Sequence, residues 1–209
     1  MLYFCTLTLL AVIALLVAEY RDWRPGVWVA KPLAGVGFIG AALAAAALDS
    51  DYGRWILAAL VLSWFGDVFL IPRRAPRVFQ AGILSFLLGH VAFTAAFVVR
   101  GLDLRMALLT ALIALVTGLL AARWLRPHVP AQMRIPVHAY LIVISLMLVC
   151  AAAATASSGD ARILLGALMF YASDLSVARD RFVVPQFTNR AWGLPLYFAA
   201  QLVLATSVA

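Results

Sequence analysis

Charge is what this chain has least of. Only 12% of its 209 residues are Asp, Glu, Lys or Arg, where a soluble domain carries about a quarter. Cysteine is nearly absent: Cys5 and Cys150 are the two, both inside apolar runs and with no CxxC pair. That argues against a disulfide framework and against a cysteine-built zinc site. The three histidines show no HxxxH or HExxH spacing, so zinc does not follow from them either. There is no GxSxG elbow, no Ser, His and Asp set at a common depth, and no Walker or Rossmann glycine pattern. The opening "MLYFCTLTLL" lacks the basic region of a secretory signal and reads as a retained span. No cofactor and no metal is expected.

What the chain does have is apolar surface. Hydrophobic residues make up 66% of it and the mean hydropathy is +1.02, the composition of an integral membrane protein. Eight apolar runs stand out, at 2–18, 27–48, 55–71, 78–99, 106–122, 137–157, 163–178 and 191–208. They are continuous rather than alternating, which selects helices over a barrel. The second and fourth runs are rich in Gly and Ala, residues that let helices approach closely in lipid. The fold class expected is all-α, a polytopic bundle of eight transmembrane helices. No linker marks a second domain, so residues 1–209 read as one integral membrane domain.

The net charge of +7 comes from fifteen Arg and one Lys that never cluster beyond "RR". Scattered arginines in short loops fit topology signals and a lipid bilayer better than nucleic acid, which is not expected as a partner. Odd-numbered connections hold Arg21, Arg24, Arg73, Arg74, Arg77, Arg123, Arg126, Arg134, Arg179, Arg181 and Arg190. Even-numbered ones hold only Arg54, Arg100, Arg105 and Arg162. By the positive-inside rule the odd connections face the cytoplasm and both termini face the other side. A bacterial inner membrane is the expected location.

With that topology, Lys31, Asp67 and Asp174 all fall roughly 6 Å inside one leaflet, at 1.5 Å per residue. Tyr140 and Ser85 enter from the same side, while His90 and Gln201 count as deeper. The spacing predicts one polar cavity open toward the cytoplasmic leaflet. Each residue has two roles open to it. The aspartates are candidate catalysts because intramembrane carboxylates are costly, or else structural ion pairs. Lys31 either joins the site or snorkels to the headgroups. His90 is a site residue or an interhelical hydrogen bonder. Ser63, Ser85 and Ser173 pack or bond backbone at least as readily as they act. Tyr140, Tyr197 and Gln201 divide between packing and lining a pocket, and His128 and His138 sit at the interface. Two carboxylates in unlike surroundings can be driven apart in pKa, one protonated and one ionised.

A faint internal repeat pairs the aspartates. An offset of 107 residues lays "WFGDVFLIPRR" over "YASDLSVARDR" and places Lys31 over His138 and His90 over Tyr197.

Several motifs, in order, carry a resemblance. They are "KPL" at 31–33, "LSWFGDVFL" at 62–70, "FQAGILSFLLGHVAF" at 79–93, "GALMFYASDLSVARDRF" at 166–182 and "LYFAAQLVL" at 196–204. In these the chain resembles the YhhN-type lysoplasmalogenase family of multispanning membrane proteins. The resemblance implies a hydrolase acting on a lysophospholipid, cleaving the vinyl ether of lysoplasmalogens to a fatty aldehyde and glycerophosphoethanolamine or glycerophosphocholine. Vinyl ethers hydrolyse by protonation at carbon, so one of Asp67 and Asp174 would donate the proton and the other steady the cation and direct water. Lys31 or His90 would tune those groups or hold the phosphate, with Ser85, Tyr140, Ser173, Tyr197 and Gln201 as further binding candidates. A proton-coupled transporter and a non-catalytic lipid-binding protein are the alternatives.

Overall fold

A twenty-residue apolar run in hydrocarbon satisfies its own backbone only as a helix, and each of the eight runs is helical. The computed structural model describes residues 1–72 and 75–209. Arg73 and Arg74, counted above among the basic residues of the third connection, lie outside the described residues. The helices are α1 (Leu2–Tyr20), α2 (Arg24–Ala44), α3 (Asp51–Phe69), α4 (Pro76–Arg100), α5 (Leu104–Leu125), α6 (Arg134–Ser158), α7 (Ala161–Ala178) and α8 (Phe187–Thr206). A 3₁₀ turn leads into α6, and a π-helical turn, Arg179–Val183, prolongs α7.

Local chemistry sets the ends. Ser50 Oγ caps α3 by accepting from Gly53 N at 3.0 Å, and the Asp103 carboxylate caps α5 by accepting from Met106 N at 2.7 Å. Pro25 and Pro76 sit in the first turns of α2 and α4, where a missing N–H costs nothing. Gly159, at φ 75°, closes α6 in the left-handed conformation. The second run is apolar to residue 48, yet α2 stops at Ala44, where the chain turns through Ala46 at φ 61°.

Among the described residues eight helices fall on the eight expected spans, but by length and composition six of them are apolar enough to cross a membrane. The two that fall short are α3 and α8. Asp51, Arg54 and Asp67 lower the hydropathy of α3, and Asn189, Arg190 and Gln201 that of α8. Both are packed among other helices: α3 lies against α4, α2 and α8, and α8 against α7, α2 and α1. Asp67, Asn189 and Gln201 are buried against protein there instead of facing lipid, which lowers their cost, while Asp51 and Arg54 are exposed at the start of α3.

Consecutive helices pair as hairpins, α1 with α2, α3 with α4, α5 with α6 and α7 with α8, and contacts of α4 with α6 and α2 with α8 join them. The outer surface is greasy. On α5 only Ala114, Ala121 and Leu125 are buried, while Leu108 and Leu112 are two-thirds exposed. Meanwhile Asp67, His90, Ser173, Asn189 and Gln201 are buried inside. Apolar outside and polar within is the arrangement of an integral membrane protein. The tightest crossing joins α7 to α8: a Cβ on Gly193 would lie 1.7 Å from Ser176 Oγ, so only glycine allows this approach.

Candidate active site

The hairpin ends that carry the odd-numbered connections surround a cavity of about 530 Å³, within the size range of small-ligand sites. Lys31 from α2, Asp67 from α3, Tyr140 from α6, Asp174 from α7 and Tyr197 from α8 all line it. Residues drawn from five helices, and spread over more than 160 positions of sequence, thus meet in one space.

Asp67 sits on a side chain only 3% exposed. Lys31 Nζ stands 3.1 Å from its Oδ1, and Tyr197 donates its hydroxyl to Oδ2 at 2.7 Å. The carboxylate therefore has an ammonium on one oxygen and a phenol on the other, two charge-assisted contacts that fix its orientation.

Asp174 is less enclosed, at 17% exposure, and its partners differ. Tyr140 donates to Oδ2 at 2.7 Å, and His90 Nε2 approaches the same oxygen at 3.3 Å, outside the alignment of a full hydrogen bond. His90 Nδ1 lies 2.6 Å from the Phe86 carbonyl, which can only accept, so Nδ1 carries a hydrogen. In neutral imidazole Nε2 would then turn a lone pair toward a carboxylate oxygen. One proton between the two atoms would let them bond.

Aromatic rings close the inner end. His90 packs tilted against Phe170 at a centroid distance of 4.4 Å and edges onto Tyr140 at 5.2 Å, and Phe86 packs edge-on against both Phe170 and Tyr197. The carboxylates therefore lie at the boundary between an apolar floor and a polar mouth.

Other expected residues fall differently. Ser85 does not line the cavity; its hydroxyl donates to Leu62 O at 2.7 Å, tying α4 to α3. Ser173 lines it, but donates to Phe170 O in its own helix. Gln201 and Ser63 are fully buried and have no hydrogen-bond partner among the described residues. His90, counted as deeper than the aspartates, reaches Asp174 because its ring spans the difference. His128 and His138 are exposed and bond their own helices.

Sequence reasoning missed the mouth. Glu19, Asp180, Arg181, Asn189 and Arg190 line it. Arg190 Nη1 meets Glu19 at 2.7 Å and its Nε lies 3.4 Å from Asp180. Asn189 donates to Val184 O at 2.7 Å and accepts from Arg179. The available signal was the density of arginines around α7 and α8, which served only to set topology.

The offset of 107 residues has a spatial counterpart. It lays Asp67 over Asp174 and His90 over Tyr197, and in space Tyr197 serves Asp67 while His90 serves Asp174. Lys31 on α2 corresponds to a position on α6 where the partner of Asp174 is Tyr140, two residues from His138.

Residues 26–208 match the model of the YhhN family. Lysoplasmalogenase TMEM86A of Bos taurus is 34% identical over 186 residues, covering 86% of this chain and 72% of its own. A lysoplasmalogenase of Mycobacterium bovis is 33% identical over 179 residues, or 79% of this chain and 65% of its own. Lysoplasmalogenase TMEM86B of Sus scrofa is 30% identical over 158 residues, or 75% and 64%. This chain thus spans about two thirds of the length of these relatives. No solved structure gives a significant match. The family model takes in every helix from most of α2 to α8 and every residue around the two carboxylates, and the chain belongs to the YhhN family.

Proposed function

We propose that this protein hydrolyses the vinyl ether bond of lysoplasmalogens, releasing a fatty aldehyde and a glycerophosphoethanolamine or glycerophosphocholine. The observation that carries the reading is one cavity holding two carboxylates with unlike partners, an ammonium beside Asp67 and an imidazole beside Asp174. Three relatives that bear the name lysoplasmalogenase support it.

The chemistry follows from that asymmetry. Asp174, supplied by the proton it shares with His90, protonates the alkenyl carbon remote from the ether oxygen. The π electrons form that C–H bond, leaving an oxocarbenium ion. Asp67, oriented by Lys31 and Tyr197, faces the cation and stabilises it. Water adds to the carbon bonded to oxygen and returns a proton to the Asp174 and His90 pair. The hemiacetal then breaks its bond to the glycerol oxygen, which takes the hydroxyl proton, and the aldehyde departs. One water is consumed and the enzyme is unchanged.

The alkenyl chain lies along the apolar floor and the headgroup stays at the mouth. Residues 1–209 act as one membrane domain, with the odd-numbered connections in the cytoplasm of a bacterial cell and both termini across the inner membrane. Purified protein given alkenyl lysophospholipid is expected to release aldehyde, and Asp67→Asn and Asp174→Asn to abolish it. A parent without product, or both variants at undiminished rate, would refute the reading. Substrate flux across proteoliposomes without cleavage would instead identify a carrier.

A further inference from the structure

Several cations around the cavity have polar partners. Lys31 is held by Asp67, Arg190 by Glu19 and Asp180, and Arg179 by Asn189. Arg181 lines the same cavity and faces no carboxylate within ion-pair distance among the described residues. Its guanidinium instead lies over the Phe79 ring, 4.0 Å from the centroid. Stacking on an aromatic face fixes the plane of a guanidinium and leaves its N–H edge available to a bidentate anion.

Arg181 is also correctly placed for a substrate. It follows Asp174 by seven residues, the last three in the π-helical turn that prolongs α7, and so sits nearer the mouth by somewhat less than the roughly 10 Å of an α-helix at 1.5 Å per residue. In a lysoplasmalogen the glycerol arm separates the vinyl ether from the phosphodiester by a few bonds. With the ether at Asp174, the arm extends toward the mouth, within reach of a long side chain. Lys31, considered above as a phosphate holder, is committed to Asp67.

Resting on the lysoplasmalogenase reading, we propose that Arg181, planted on Phe79, binds the phosphodiester of the substrate and selects lysophospholipids over ether lipids that lack phosphate. Arg181 touches no reacting atom; it sets which lipids present their vinyl ether to Asp174.

The test compares two substrates with the same alkenyl chain, an alkenyl lysophosphoethanolamine and a 1-alkenylglycerol, in neutral detergent micelles. The parent prefers the first in kcat/KM. Arg181→Gln is expected to lower that preference about tenfold, through a higher KM for the phospholipid, as the loss of one charge-assisted contact at a partly exposed site predicts. Arg181→Lys keeps part of the preference, and Phe79→Leu weakens it less than Arg181→Gln. An unchanged ratio overturns the proposal. So does an effect seen in anionic vesicles and absent from neutral micelles, which assigns Arg181 to the bilayer surface. A binding arm uses an alkyl ether lysophospholipid, which cannot be cleaved, and the matching alkylglycerol, read by tryptophan fluorescence. Weakened binding of the phospholipid alone in Arg181→Gln upholds the phosphate site even if the parent releases no aldehyde, an outcome that sinks only the reaction. Equal weakening of both ligands overturns the site.

Discussion

The Lys31 ammonium holds Asp67 twice, at 3.1 Å from Oδ1 and 3.2 Å from the same residue's backbone oxygen. One cation thus fixes both the side chain and the last turn of α3, where that carbonyl lacks a helical partner. The pair is nearly closed to solvent, with 11% and 3% of the two side chains exposed. Breaking a buried pair from one side strands a charge and costs about 3–5 kcal/mol. Lys31→Met is expected to lower the thermal midpoint in detergent and to abolish turnover. Lys31→Met combined with Asp67→Asn should melt above Lys31→Met alone while staying inactive. A double variant no more stable than the single would show that the pair is not coupled.

The two phenols test the carboxylates separately. Tyr197→Phe and Tyr140→Phe each remove one O–H bond to a carboxylate, an interaction worth about 1.5–3 kcal/mol. If that is expressed in the transition state, kcat falls roughly 10- to 100-fold in each. KM should move little, since neither phenol is assigned to the headgroup. Steady-state kinetics on both variants decide it, and a change confined to KM would contradict the assignment.

Protonation at carbon leaves a mark in the product. Turnover in heavy water should yield aldehyde with one deuterium on the carbon next to the carbonyl, read by mass spectrometry after immediate trapping. His90→Gln should keep that pattern at a much lower rate, because the imidazole beside Asp174 is gone. Aldehyde without deuterium would remove carbon protonation, and with it the role given to Asp174.

Gly193 sets the approach of α7 to α8 that brings Asp174 and Tyr197 to one cavity. Gly193→Ala places a methyl 1.7 Å from Ser176 Oγ and 2.7 Å from its Cβ, so the helices must part. Low yield or low activity is expected, and Ser176→Gly in the same chain should restore both. Rescue by Ser176→Gly is the measurement that separates a packing clash from a catalytic loss.

Cost made part of this site legible. Asp67, Asp174 and Lys31 stand out because charge is scarce in apolar runs, and counting residues from the loops placed them at one level; all three line the cavity. The same count set His90 deeper, but a residue's height on its helix ignores the reach of its side chain, and the ring meets Asp174. Ser85 looked like its neighbours on paper, but its hydroxyl is consumed by a backbone carbonyl, which composition does not reveal. Glu19, Asn189 and Arg190 lie at helix ends that hydropathy reads only as boundaries. Their convergence depends on α1 and α8 packing together, a contact between opposite ends of the chain. The apolar runs similarly foretold eight helices but not that α3 and α8 would be the two least suited to lipid.

The exchange of partners between the two groups of four helices has a consequence for the assembly of the molecule. Asp67 belongs to the first four helices and is completed by Tyr197 from the last four; Asp174 belongs to the last four and is completed by His90 from the first. Neither half owns a finished carboxylate. Two separately expressed halves, split in the short stretch between α4 and α5, should be inert alone and regain turnover when made together.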